Sequence, residues 1–180
     1  MGRFDEIFIS VRRCGEQRRQ RFRFMRSIRR RTPVREALVA QSALAVHIQN
    51  GLGAVKDKDK PFIDASIRAQ FVDSLDTDEA FRMGHDQEPR WDYLLGHEKG
   101  RIVAVEPHSA KTDEVDTVVN KKKALQRQLQ DHLRDGKVIS SWLWVASGTV
   151  CFPRGSKHEI KLSQAGIKFV GRRVMAKHLP

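Results

Sequence analysis

Residues 91–108 read WDYLLGHEKGRIVAVEPH, and the fold turns on them. The first five form a short strand. Gly96-His97-Glu98-Lys99-Gly100 is a turn, and residues 101–108 form a second strand whose β-branched content comes from Ile102, Val103 and Val105. The unit is a β-hairpin. With the turn centred on residues 97–99, antiparallel pairing carries Asp92, near the start of the first strand, across the ladder from Glu106, near the end of the second. His108 lies two residues beyond Glu106 and shares its face of the strand by the period-two rule. Two converging carboxylates suit Mg2+ or Mn2+, hard ions that take oxygen ligands and keep several waters. An ion held there polarises a phosphate and acidifies an attacking water. His108 would then serve as a base, hold the water, donate to phosphate or ligate a softer metal.

Upstream, Thr32 and Pro33 form a helix start, with Thr32 as cap and Pro33 in the first turn. The apolar positions Val34, Leu38, Val39, Ala43, Val46 and Ile48 predict a helix over 34–49, stopped by Asn50-Gly51. A second helix is predicted over 61–75 from the stripe Phe62, Ile63, Ile67, Phe71 and Leu75. The polar, acidic residues 76–90 read as a loop or a short helical turn. Downstream, Val118, Leu125, Leu129 and Leu133 predict a long helix over 117–134, ended by Gly136. Residues 138–146 are apolar and β-prone, as an interior strand requires. Residues 160–162 and 167–170 read as short strands or turns, and residues 172–177 as a basic end.

The chain has 180 residues and a formal charge of +12. Residues 1–35 hold twelve arginines against Asp5, Glu6 and Glu16. Most of the excess charge therefore sits in about one fifth of the chain. Between Arg12 and Arg31 the arginines are interleaved with Phe22, Phe24, Met25 and Ile28, a composition that attracts a phosphate backbone and stacks on bases. The same stretch also reads as a basic tail, an organelle-targeting peptide or a docking arm for an acidic protein partner. The expected organisation is an arginine-rich extension over 1–33 and one α/β domain over 34–180. Two cysteines, Cys14 and Cys151, are too few for a disulfide-built fold or a zinc module. No apolar run approaches bilayer-spanning length, and the N-terminus lacks a secretory apolar stretch. The expectation is a cytoplasmic protein with no membrane partner, compatible with a homodimer.

The order helix, hairpin, helix, strand and the spacing of Asp92, Glu106 and His108 resemble the PD-(D/E)xK, or restriction-endonuclease-like, nuclease superfamily over roughly residues 34–146. The resemblance implies a mixed sheet flanked by helices, a metal-dependent phosphodiesterase activity on nucleic acid, and Mg2+ or Mn2+ as cofactor. Asp92 falls on the family's metal-binding aspartate and Glu106 on the first member of its Glu-x-Lys pair. His108 stands where the family has lysine, Pro107 separates the two, and Pro89-Arg90-Trp91-Asp92 replaces the Pro-Asp element. Some members place the working lysine on a neighbouring helix, which here points to the run Lys121, Lys122 and Lys123, with Lys122 as the candidate and Gln126 one turn on. Three consecutive helical lysines fan across about 200°, so only one or two face a given site.

The structural alternatives are an Asp92 on the hairpin surface, a Glu106 paired with Arg101 or Lys111, and a solvated lysine face. A noncatalytic nuclease-like domain that binds nucleic acid or a protein is the competing function.

Overall fold

The computed structural model describes residues 31–83, 87–151, 153 and 155–180. Residues 1–30, which hold most of the expected arginine-rich extension, lie outside the described residues.

Among the described residues the centre is an open mixed sheet of six strands. They are β1 (Ile48–Asn50), β2 (Phe71–Asp76), β3 (Tyr93–His97), β4 (Arg101–Ala110), β5 (Ser141–Val150) and β6 (Lys168–Phe169). They lie side by side in chain order. Neighbours from β1 to β4 are antiparallel, whereas β4–β5 and β5–β6 are parallel. The parallel pairs follow from the connections, because a parallel neighbour needs a crossover. α3 (Glu114–Gln128) supplies the crossover from β4 to β5, and α4 (Lys157–Gln164) the one from β5 to β6. The chain is thus mixed α/β, as the sequence indicates.

Alternation along the strands splits the core between the two sheet faces. One face buries Leu75, Leu94, Ala104 and Trp144 against α1 (Pro33–Ala37), α3 and α4. The other buries Tyr93, Val103, Val105 and Leu143 against Ile63, Ile67 and Val174. With both faces covered, β4 is buried continuously from Ile102 to Glu106. Glu106 belongs to the even-numbered row that faces α3, and it is the one acidic residue within that buried run.

The hairpin forms as the sequence predicts. His97 pairs with Arg101 and Tyr93 with Val105, and Gly100 takes the positive φ of 80° that closes the turn. Both upstream helices are corrected. The predicted helix over 34–49 breaks after Ala37, because Leu38 extends into an isolated bridge with Leu133. Ser42 then caps a 3₁₀ turn at Ala43–His47 with its hydroxyl accepting from the Leu44 N–H, and Ile48 opens β1. The predicted helix over 61–75 is two 3₁₀ turns, Lys60–Phe62 and Ala65–Gln70, followed by β2. Phe71 and Leu75 are four apart, a spacing that satisfies a helix face and a strand face alike. Pairing with β3 decides between them.

Downstream, α3 begins and ends earlier than expected; residues 157–164 form a helix in place of the short strand or turn expected at 160–162, while the short element expected at 167–170 holds β6. Ser156 caps that helix by accepting from the Glu159 N–H, and Gly166 leaves it with φ at 64°. Thr77–Ala80 is a short helix, α2, inside the predicted loop, capped by Asp76. No helix among the described residues is long and apolar enough to cross a membrane.

Candidate metal-binding catalytic site

The ladder of the hairpin, continued one step past the Tyr93–Val105 pair, sets Asp92 opposite Glu106. The backbone closes the arrangement: the Asp92 N–H donates to Glu106 Oε2 at 2.9 Å. Two further bonds fix the strand before it reaches the site. The Thr77 hydroxyl donates to the Trp91 carbonyl at 2.5 Å, and the Thr77 N–H donates to the Asp92 carbonyl at 2.8 Å. Trp91 itself is fully buried, edge-on to Trp142 with centroids 5.1 Å apart. Asp92 is therefore held from both sides along the chain.

Across from the hairpin, α3 delivers a lysine. Lys121 Nζ donates to Glu106 Oε1 and lies 3.8 Å from Asp92 Oδ1. One ammonium thus joins both carboxylates. Glu106 has no exposed surface, while the Lys121 and Asp92 side chains keep a narrow solvent opening at 16% and 22%. The sequence candidate Lys122 is corrected here. It turns away from the carboxylates and donates to the Ala165 and Gly166 carbonyls at 2.6 and 3.2 Å, with its ammonium 4.9 Å from the Trp142 ring. It caps the C-terminal end of α4, where carbonyls and the helix dipole favour a cation. Lys123 is exposed.

His108 does share the face of Glu106, with Nδ1 3.5 Å from Glu106 Oε1. Its other nitrogen bonds Glu114 Oε2 at 2.9 Å, in the first turn of α3. That bond holds the Glu114 carboxyl below the usual range. The imidazole therefore bridges a buried and a part-exposed carboxylate, flanking the pair from the side opposite the hairpin turn.

The electrostatics of the centre are those of surplus buried negative charge. Burial pushes Asp92 up to about 6; Lys121 works against the rise, and Asp78 and Asp59 add to it. Burial, and after it the Asp92 charge, raises Glu106 to about 8 against the opposing pull of Lys121. Lys121 feels burial downward, but the two carboxylates overcome it and the net is upward. The ammonium is charged at neutral pH, and the carboxylate pair retains about one proton. Beside Asp92 lies an ion cluster: Lys56 touches Asp76 and Asp78 at 3.3 and 3.4 Å, and Arg90 meets Asp78 at 3.0 Å. Tyr93 donates to the buried Asp59 at 2.6 Å. Sequence reading misses this cluster, since its members come from three separate segments.

The pair suits a hard divalent cation. Both groups are carboxylates, they converge on one positive charge, and their raised pKa values mark a place where added positive charge is favoured. Among the described residues no group of three or more His, Cys, Asp or Glu side chains is arranged to hold a metal. An ion here would thus take two protein oxygens and complete its shell with water and substrate phosphate, the habit of Mg2+. Neither the protein-family models, nor the curated proteins, nor the solved structures include a match to this chain.

Proposed function

We propose that the protein is a metal-dependent nucleic-acid phosphodiesterase, with Asp92 and Glu106 as metal-holding carboxylates and Lys121 as the catalytic ammonium. One observation carries the reading: two carboxylates and a lysine from three separate elements meet at a largely buried point that opens narrowly to solvent. Burying a surplus carboxylate costs stability, so a fold that does so has a use for the charge. The order of elements supports the restriction-endonuclease-like reading: a hairpin bears the carboxylates, and a helix and a parallel strand follow. The lysine of the family's pattern is then supplied by α3, and His108 takes a flanking place.

In this reading Asp92 and Glu106 would hold Mg2+ or Mn2+, which when bound supplies Lewis-acid polarisation of a phosphoryl oxygen and a water of lowered pKa. The chain's own contribution is positional. Lys121 brings a fixed positive charge to the place where negative charge builds on the phosphoryl group, and its two carboxylate partners preorganise it. His108, oriented by Glu114, holds a proton donor or acceptor beside that point. The basic character of the chain, +12 overall, supports a polyanionic substrate.

The test is cleavage of supercoiled plasmid and of single-stranded RNA by the full chain in Mg2+ or Mn2+, against the Asp92→Ala and Glu106→Gln variants and EDTA. The reading expects metal-dependent product from the wild type and a loss of at least about a hundredfold in each variant. Wild-type binding without cleavage in either metal refutes it and leaves the noncatalytic binding domain.

A further inference from the structure

Residues 155–180 carry six lysines and arginines against one acidic residue, Glu159. Two of the six are tied down: Lys161 pairs with Asp116, and Arg173 lies 3.8 Å from Asp64. Among the described residues Lys168, Arg172 and Lys177 have no ion-pair partner, and all three are exposed. Lys168 and Lys177 converge on one groove of about 580 Å3, whose walls also include Val150, Glu159, Phe169 and His178. A second groove of about 430 Å3 is bounded by Phe62, Gly148, Thr149, Arg172 and Arg173, the last two following the Gly171 that lines the first. His178 stands low, first through burial and then through the charges of Lys168 and Lys177. Like charges are thus gathered with little acidic relief.

The groove also has a defined position relative to the carboxylates. Glu106 pairs with Trp144 across β4–β5, and Trp144 with Phe169 across β5–β6. The three lie on one row across the sheet. Two strand spacings separate Phe169 from Glu106, roughly 10 Å of backbone distance. Trp144, between them on this row, is buried, whereas β5 beyond Ala146 is exposed over residues 147–150.

We propose that the groove lined by Lys168, Phe169, Lys177 and His178, together with the second groove at Arg172 and Arg173, docks the sugar-phosphate backbone of a nucleic acid. The choice of a nucleic acid among polyanions rests on the phosphodiesterase reading. A strand carries a phosphate about every 3.4 Å along a helix axis, so the backbone distance between Phe169 and Glu106 corresponds to roughly three nucleotides. The exposed cations neutralise phosphates, while Phe169 and Phe62 give the groove walls an apolar side against which sugars and bases pack.

The test is fluorescence anisotropy of the full chain with a labelled 20-nucleotide strand in EDTA, where cleavage is off and only binding is read. The triple variant Lys168→Glu/Arg172→Glu/Lys177→Glu is expected to bind at least tenfold more weakly. Its slope of log affinity against log salt should fall by about 2, at roughly 0.7 for each phosphate that is no longer neutralised. An unchanged affinity and slope in a folded variant overturns the proposal. A second measurement stands independent of that variant's folding: the strand should protect Lys168 and Lys177 of the wild type from acetylation. Lys137, before the other end of β5, should stay reactive. Equal reactivity with and without the strand overturns the proposal, as does protection by anionic lipid vesicles alone. Because no cleavage enters either readout, a wild type that binds here but never cuts refutes the phosphodiesterase reading and leaves the groove standing.

Discussion

The sharpest consequence of a buried surplus carboxylate is that the metal-free protein should lose stability as pH rises. Glu106 is fully buried and its carboxyl lies at about 8 instead of 4.5. For an acid raised on folding, the protonated form is favoured in the folded state. The stabilising contribution is complete below about 4.5 and disappears as pH passes through about 8. One pKa unit is ~1.4 kcal/mol, so the full span is on the order of 5 kcal/mol. Part of this belongs to Asp92, which titrates with Glu106 as a pair and contributes in the same direction through about 6. Glu106→Gln removes the titration while keeping the shape. It leaves Lys121 beside Asp92, and the exchange of a carboxyl for an amide adds an offset that does not depend on the titration of residue 106. Urea unfolding in EDTA at pH 5, 6, 7, 8 and 9 reads both. The variant minus wild-type difference should shift in the variant's favour by about 2–4 kcal/mol across that range, with His97, His178 and Asp73 cancelling because both proteins carry them. Parallel curves would refute the assignment of a charge surplus to this centre.

Other outcomes follow from the same geometry. Lys121→Met should abolish metal-dependent cleavage, by at least about a hundredfold, while Mn2+ binding persists. Lys122→Met should leave cleavage within about twofold and cost ~1 kcal/mol by freeing the α4 carbonyls, as thermal unfolding would show. Mn2+ affinity should rise about tenfold from pH 6 to 7 and level off above about 8, because the ion displaces protons from the pair; calorimetric titration reads the profile. Gly96→Ala should destabilise the fold by about 2–4 kcal/mol, read by urea unfolding. A Cβ there would meet Asp73 Oδ1 at 1.8 Å and evict the carboxylate that accepts the Val34 and Arg35 N–H groups at the start of α1.

The hairpin and the convergence of Asp92 with Glu106 are legible in the sequence because strand alternation and a glycine-bounded turn fix register locally. The choice between Lys121 and Lys122 is not. Val118 and Leu125 flank both at helical spacing, three and four residues away, so both fall on the buried side of α3. What separates them is tertiary: Lys121 meets the hairpin, and Lys122 meets the end of α4. The upstream region misleads for a related reason. Its apolar residues recur at intervals of four, which fit either period, and the bridge from Leu38 to Leu133 spans a sequence distance that no local pattern reports. The 157–164 helix, by contrast, carries a readable start in Ser156-x-x-Glu159.

The central claim, that Asp92 and Glu106 hold a divalent cation beside Lys121, is tested most directly by anomalous diffraction from crystals grown with Mn2+ and a non-cleavable oligonucleotide. The predicted result is one manganese peak bonded to both carboxylates, with a phosphate oxygen in its shell and Lys121 next to that phosphate. A bound oligonucleotide with no manganese at the pair, or with the metal held elsewhere, would contradict it.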